Sequence, residues 1–219
     1  NKITKVGNKF KILANETEYE FDYVVVALGN KANLDEFKKL GVNVKDFVPS
    51  LCALKTTKHK SLAGVRANNI KLKCKDVNFE EIGEILFRED GISGIVVFNL
   101  SAYFARVNNF SHNVEIDFLP NICLEELITK LNSRQKLLKN YKVYNFLDGV
   151  FNRAINAEIL NKANLNTEKK VESLTMLEIS RIAKVIKNYQ VETCLPLENN
   201  QVFSGGVCLN CLNLNLESK

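Results

Sequence analysis

The spacing of apolar residues along the chain changes several times. Over residues 3–26 it predicts a small meander. Ile3, Val6, Phe10 and Ile12 are set apart by polar residues, Gly7-Asn8 and Asn15-Glu16 read as turns, and Tyr19, Phe21 and Tyr23 alternate. Tyr23-Val24-Val25-Val26-Ala27 is an unbroken apolar run ending at Leu28-Gly29-Asn30, which predicts a strand buried in a parallel sheet. Ligands of such sheets sit beyond the carboxyl ends of the strands. In Lys31–Leu40, Leu34, Phe37 and Leu40 share a helical face, and Gly41 serves as the stop signal.

From residue 48 to residue 119 short apolar runs alternate with turns: Val48–Thr56, Ile70–Cys74, Ile85–Phe87, Ile95–Leu100 and Val114–Phe118. This spacing predicts a small β-barrel or sandwich. Ser101–Val107 reads as a short helix with Ser101 at its N-cap. After Pro120 the period becomes helical. Asn121 is placed to cap a helix with Leu124, Leu127, Ile128 and Leu131 on one face. Leu147, Val150, Phe151, Ala154 and Ile155 repeat at i, i+3, i+4, i+7 and i+8. Thr175-Met-Leu-Glu178 is a capping box, with Leu174 and Ile179 positioned as a hydrophobic staple, and it opens a helix burying Ile182, Val185, Ile186 and Tyr189. The chain then returns to strands over Gln190–Leu197 and Val202–Val207. The fold class expected is α+β, a small barrel-like unit at 48–119 beside a helical bundle at 120–190, with flanking segments at 1–47 and 191–219.

Composition changes this picture little. The chain has 219 residues, 46% of them hydrophobic and 25% charged, an ordinary globular mix for one large domain or two small ones. No apolar run is long enough for a membrane span, and no secretory leader is visible. The net charge of +5 is spread along the chain without blocks of one sign, which argues against nucleic-acid binding. Of six cysteines, Cys52, Cys74 and Cys123 lie in apolar surroundings and read as small hydrophobes. Cys208 and Cys211 alone have chelating spacing, and with His59 and His112 remote in sequence no metal site is expected. Reduced cysteines fit a cytoplasmic setting.

The stretch Gly83–Ser101, GEILFREDGISGIVVFNLS, holds the candidate chemistry. Gly91 and Gly94 flank Ser93 between apolar runs. Such a loop either makes a tight connection or lets the backbone approach a ligand closely. The stretch resembles the loop G-E-L/I-L-F-T-H-x-G-L/I-S-G-P of the aminoacetone-oxidase-like family of FAD-dependent flavoproteins. Arg88-Glu89 stands where that loop has Thr-His, and Ile95 replaces its proline. DYVVVALGN (Asp22–Asn30) resembles that family's D-x-V/I-V/I-V/L-A-T-G-G strand, with Leu28 and Asn30 in place of Thr and Gly. The family's serine- and glycine-rich segment is missing after Asn30. Leu62-Ala63-Gly64-Val65, Val202–Val207 (VFSGGV) and Asn215–Lys219 resemble its L-x-G-V, A-x-V-T-A/G-G-G-V and T-M-E-S-K segments.

The resemblance implies that this chain is the inserted barrel and helical part of a cytoplasmic FAD-dependent oxidoreductase, and that 1–47 and 191–219 belong to its flavin-binding domain. Ala27, Gly29, Asn30, Gly205 and Gly206 would then touch the flavin, while Gly91, Ser93 and Gly94 would line the substrate side, with Ser93 the one candidate for chemistry. The partner would be the remainder of the flavin domain, and the substrate a small molecule of unspecified kind. No G-x-G-x-x-G opens a helix here, so the segment by itself is expected to be inactive and not to retain FAD. The alternative is a non-catalytic module binding a protein or RNA, or an inactive relative of the family.

Overall fold

The fold is given by a computed structural model, which describes residues 2–27, 29, 33–57, 60–197, 202–215 and 217. The chain forms two compact units. The first is discontinuous, combining residues 1–49 with 202–219, and the second is residues 50–201.

In the first unit, β1 (Lys2–Val6), β2 (Lys9–Ala14) and β3 (Thr17–Phe21) form an antiparallel sheet in chain order. Gly7, and Asn15 with Glu16, take positive φ in the two turns. Tyr23–Ala27, expected as a buried strand, pairs with no strand among the described residues, and Tyr23 and Val25 are 89% and 91% exposed. An apolar run becomes a buried strand only where neighbouring strands accept its N–H and C=O groups. Helix α1 is shorter than the periodicity predicts, spanning Asp35–Lys39. Its end is the predicted glycine stop. Gly41 has φ of 79° and donates to Lys38 O, while Val42 donates to Phe37 O, a Schellman motif. β4 (Val44–Pro49) ends the first pass of the chain through this unit.

The second unit is built on a closed antiparallel barrel. Its strands are β5 (Leu54–Thr56), β6 (Arg66–Cys74), β7 (Phe79–Phe87), β8 (Gly91–Ser93), β9 (His112–Asp117) and β10 (Tyr189–Pro196). The order around the barrel is β10-β5-β8-β7-β6-β9, closed by the pairing of β9 with β10. Alternating residues fill the interior, among them Leu54, Ile70, Leu72, Ile85, Phe87, Ile92, Val114 and Ile116. A bulge between Ala67 and Ile70, with Asn69 at positive φ, bends β6.

Helix α2 (Ile95–Val107) replaces the strand expected over Ile95–Leu100. Four β-branched or aromatic residues in a row favour a strand, but the chain continues with Leu100, Phe104 and Ala105 at helical spacing. Packing of the face Val96, Val97, Leu100, Ser101, Phe104 and Ala105 outweighs the local preference. Gly83 in β7 makes room for this helix, since a Cβ there would lie 2.5 Å from Val96 Cγ1. Ser101 is therefore not an N-cap. It is fully buried inside α2, where its Oγ accepts the N–H of Cys52 at 2.9 Å and donates to Phe98 O at 2.7 Å.

Between β9 and β10 lie α3 (Leu124–Leu137), α4 (Arg153–Lys162) and α5 (Met176–Lys187). The N-cap of α3 is Cys123, whose sulfur accepts from Glu126 N, rather than Asn121. Leu147, Val150 and Phe151 do not extend α4 as their spacing predicts. A turn with Gly149 at φ of 80° intervenes, and Asn152 caps the helix by accepting from Ala154 N at 2.9 Å. The capping box of α5 forms as expected: Glu178 N donates to Thr175 Oγ1 at 3.2 Å and Thr175 N donates to Glu178 Oε2 at 2.8 Å. Leu174 and Ile179 are buried beside it. Lys187, in the last turn of α5, forms a 2.6 Å ion pair with Asp117 and donates to the carbonyls of Leu119 and Ile122. No helix among the described residues is long and apolar enough to cross a membrane. β11 (Phe203–Val207) returns to the first unit and pairs antiparallel with β4.

Candidate functional site

The expected flavin-side residues lie in the first unit. Asn30, like Leu28, His59, Leu216, Ser218 and Lys219, is outside the described residues. Ala27 and Gly29 follow Tyr23–Val26, in which Val24 is half-buried and the rest exposed, and Gly205 and Gly206 lie in β11. Their sequence neighbours Val24, Val26 and Val207 line an apolar cleft of about 390 Å³ with Phe37, Leu40 and Val42, and Ala27, Gly29, Gly205 and Gly206 are not in its lining. The three glycines have different local reasons. A Cβ on Gly205 would lie 2.6 Å from Asp46 O, so this glycine is required by the irregular β4–β11 pairing. A Cβ on Gly29 would meet nothing within 4 Å, and on Gly206 only the edge of the Phe47 ring at 3.9 Å. At those two positions bare backbone faces open space.

Such backbone fits the edge of a flat ring system. The same unit does not fit a pyrophosphate. Its described helix, α1, is five residues long with Leu34 at the N-cap and Asp35 in the first turn, so it offers no cradle for a phosphate. No step of flavin chemistry can be assigned to these residues.

The expected substrate-side stretch is part of the barrel wall. Gly91, Ile92 and Ser93 are buried in β8, with Ser93 6% exposed. A Cβ on Gly91 would collide with Leu54 O across the β5–β8 pair, and one on Gly94 would lie 2.5 Å from Glu84 O. Gly91 thus serves close approach of strand to strand, and Gly94, at φ of 113°, close approach of the α2 N-cap to β7. The loop and the flavin-side glycines belong to different units.

Cys208 and Cys211 are free thiols, Cys208 capping and Cys211 ending the 3-10 turn Leu209–Cys211, with no third metal-ligating group gathered at them among the described residues. The structure instead brings together Cys74, Asp76 and His112. Sequence spacing hid this group because a sheet pairing, not a local motif, joins its members.

Two comparisons bear on the whole. A family model described as the HI0933-like protein barrel and H2TH domain matches residues 48–200. A 3-dehydro-bile acid delta(4,6)-reductase of Clostridium scindens is 26% identical over 215 residues, which is 90% of this chain and 53% of that protein. The chain therefore spans about half the length of the curated relative it matches. The matched range takes in the closed barrel and the three helices between β9 and β10, so the chain belongs to the HI0933-like family of FAD-dependent oxidoreductases and carries its barrel and H2TH domain.

Proposed function

We propose that this chain belongs to a longer FAD-dependent oxidoreductase, in which residues 50–201 form the substrate-side wall or lid over a flavin held mainly by residues outside 1–219. The observation that carries this reading is the apolar cleft where Val24 and Val26, just before Gly29, meet Val207, just after Gly206. Two unobstructed backbone positions next to an apolar surface suit the edge of a flavin whose phosphates are bound elsewhere. Gly29 and Gly206 take that role, flanked in sequence by Ala27, Asn30 and Gly205, while Gly91, Ser93 and Gly94 serve the substrate side through the packing of the barrel wall rather than by direct contact. When bound, FAD supplies two-electron redox chemistry, and the protein's part is to orient the substrate and keep water away. The curated relative is by name a reductase, so reduction of an unsaturated carbonyl compound is the first reaction to assay.

The test uses the full-length protein beside a variant in which a short Gly-Ser linker replaces residues 50–201. The intact protein should be yellow and turn over, and the variant should keep its flavin absorbance but lose turnover. A colourless intact protein would overturn the flavin reading, and unchanged kcat and KM in the variant would overturn the wall. The 219-residue chain alone should show no rise in Tm on adding FAD. A saturable rise would place the binding determinants inside it.

A further inference from the structure

Three side chains converge where the end of β6 meets the start of β9. Cys74 ends β6, Asp76 lies in the 3-10 turn Lys75–Val77 that follows, and His112 opens β9. The sulfur, a carboxylate oxygen and a ring nitrogen of the three all lie within 4.8 Å of one another. β6 and β9 are paired, so the barrel's own register sets the placement.

Cys74 is 1% exposed, and burial pushes its thiol pKa up, an effect that the backbone N–H groups of Val77 and Asp76 bonded to its sulfur offset only in part. A metal ion bound there would displace the thiol proton. Asp76 has 60% of its side chain exposed, leaving a path from solvent. The His112 ring is 7% exposed and stacked on Phe104 at 4.4 Å, which fixes its plane.

The two contacts of that ring are decisive. Nδ1 is 2.8 Å from Asp76 Oδ2 and Nε2 is 3.2 Å from the backbone oxygen of Asn109. Both oxygens accept and neither donates. A neutral imidazole has one N–H and one lone pair, so either tautomer aims a lone pair at an oxygen. A cation removes the conflict. A second proton on the ring would do so without using Cys74. A metal ion on Nδ1 would use all three side chains, leaving Nε2–H to donate to Asn109 O. A backbone carbonyl on the far nitrogen is the orienting partner that metal-bound histidines usually have.

We propose that Cys74, Asp76 and His112 bind a zinc-type divalent cation, with a fourth, water-filled position on the exposed Asp76 side. One thiolate, one imidazole and one carboxylate form a donor set suited to a borderline-soft ion in tetrahedral geometry. On binding, the thiol proton of Cys74 passes to solvent. The ion would tie the β6–β7 turn to the start of β9.

The test is titration of the purified full chain with Co2+, whose bond to a thiolate gives a charge-transfer band in the near ultraviolet. Expected are one equivalent bound, displacement by Zn2+, and no such band in Cys74→Ala. Cys74 is a core residue, so Asp76→Asn, at an exposed position, gives the second reading: affinity should fall at least about tenfold with the fold intact. The Cys208→Ser/Cys211→Ser double variant should bind as the parent chain does. Absence of the band in the parent chain would overturn the proposal. Survival of the band in Cys74→Ala, unchanged affinity in Asp76→Asn, or its loss in the double variant would overturn it equally.

Discussion

The two units put apolar residues to opposite uses. In the barrel and its helices, Leu54, Leu72, Phe87, Leu100, Phe104, Phe146 and Ile182 have no exposed surface. In the first unit Phe37 is the one buried apolar residue among those described, while Tyr23 and Val25 stand almost wholly exposed. The second unit closes its sheet and so leaves no unpaired barrel edge. Among the described residues the first consists of a three-stranded sheet, a two-stranded ribbon, one short α-helix and a 3-10 turn. Equal hydrophobicity in sequence therefore means a finished core in one place and a surface fit to be covered in the other.

Substitutions can break that comparison. Phe87→Ala should have the largest effect, about 3–5 kcal/mol of stability by chemical denaturation of the chain, from a cavity at the centre of the barrel. A loss under about 1 kcal/mol would mean that the barrel is not a single packed core. Lys187→Ala should follow at about 3 kcal/mol. It removes the ion-pair partner of Asp117, whose side chain is 8% exposed and keeps the Leu119 N–H, and frees the carbonyls of Leu119 and Ile122.

Thr175→Ala should cost about 1 kcal/mol through the α5 cap. The same cap predicts a pH effect. Lys169, followed by Thr175 N–H, holds the Glu178 carboxyl below its ordinary value. A carboxyl depressed in the folded state stabilises fully above the usual carboxylate range, and that contribution is lost as pH falls through the folded-state value. Thermal melts of the parent chain should drop more steeply on acidification than those of Glu178→Gln. The smallest effect belongs to the first unit: Val25→Ser should change the stability of this chain by less than about 0.5 kcal/mol. In the full-length protein the same change should cost more if another segment covers Val25.

Features set by neighbouring residues were legible in the sequence. The Thr175–Glu178 box and the Gly41 stop depend on hydrogen bonds spanning a few residues, and both formed where the pattern put them. The barrel was readable from the number and spacing of short apolar runs. Helix α2 was not, because the choice between strand and helix for Ile95–Phe98 is made by contact with β7 at Gly83, far outside any local window. The stretch Leu147–Phe151 had helical spacing but carried Asp148-Gly149 and Asn152, and turn and cap chemistry decided it. Gly91 and Gly94 were visible as glycines, yet their reason, close approach to the backbones of β5 and β7, needed the tertiary packing. The Cys74, Asp76 and His112 group was invisible for the same cause.

The pairing of β4 with β11 has a further consequence. Phe203 lies opposite Pro49, so the points where the chain departs for and returns from residues 50–201 are one strand spacing apart, about 4.8 Å. To the sheet that holds them, the whole second unit is equivalent to a hairpin loop. Loop-closure entropy grows only slowly with length, and a folded insert brings its ends together in advance. The host strands would keep their register whether that loop were a few residues or a complete domain. A gene could therefore gain, shed or exchange the barrel module at this junction without redesigning the sheet that receives it.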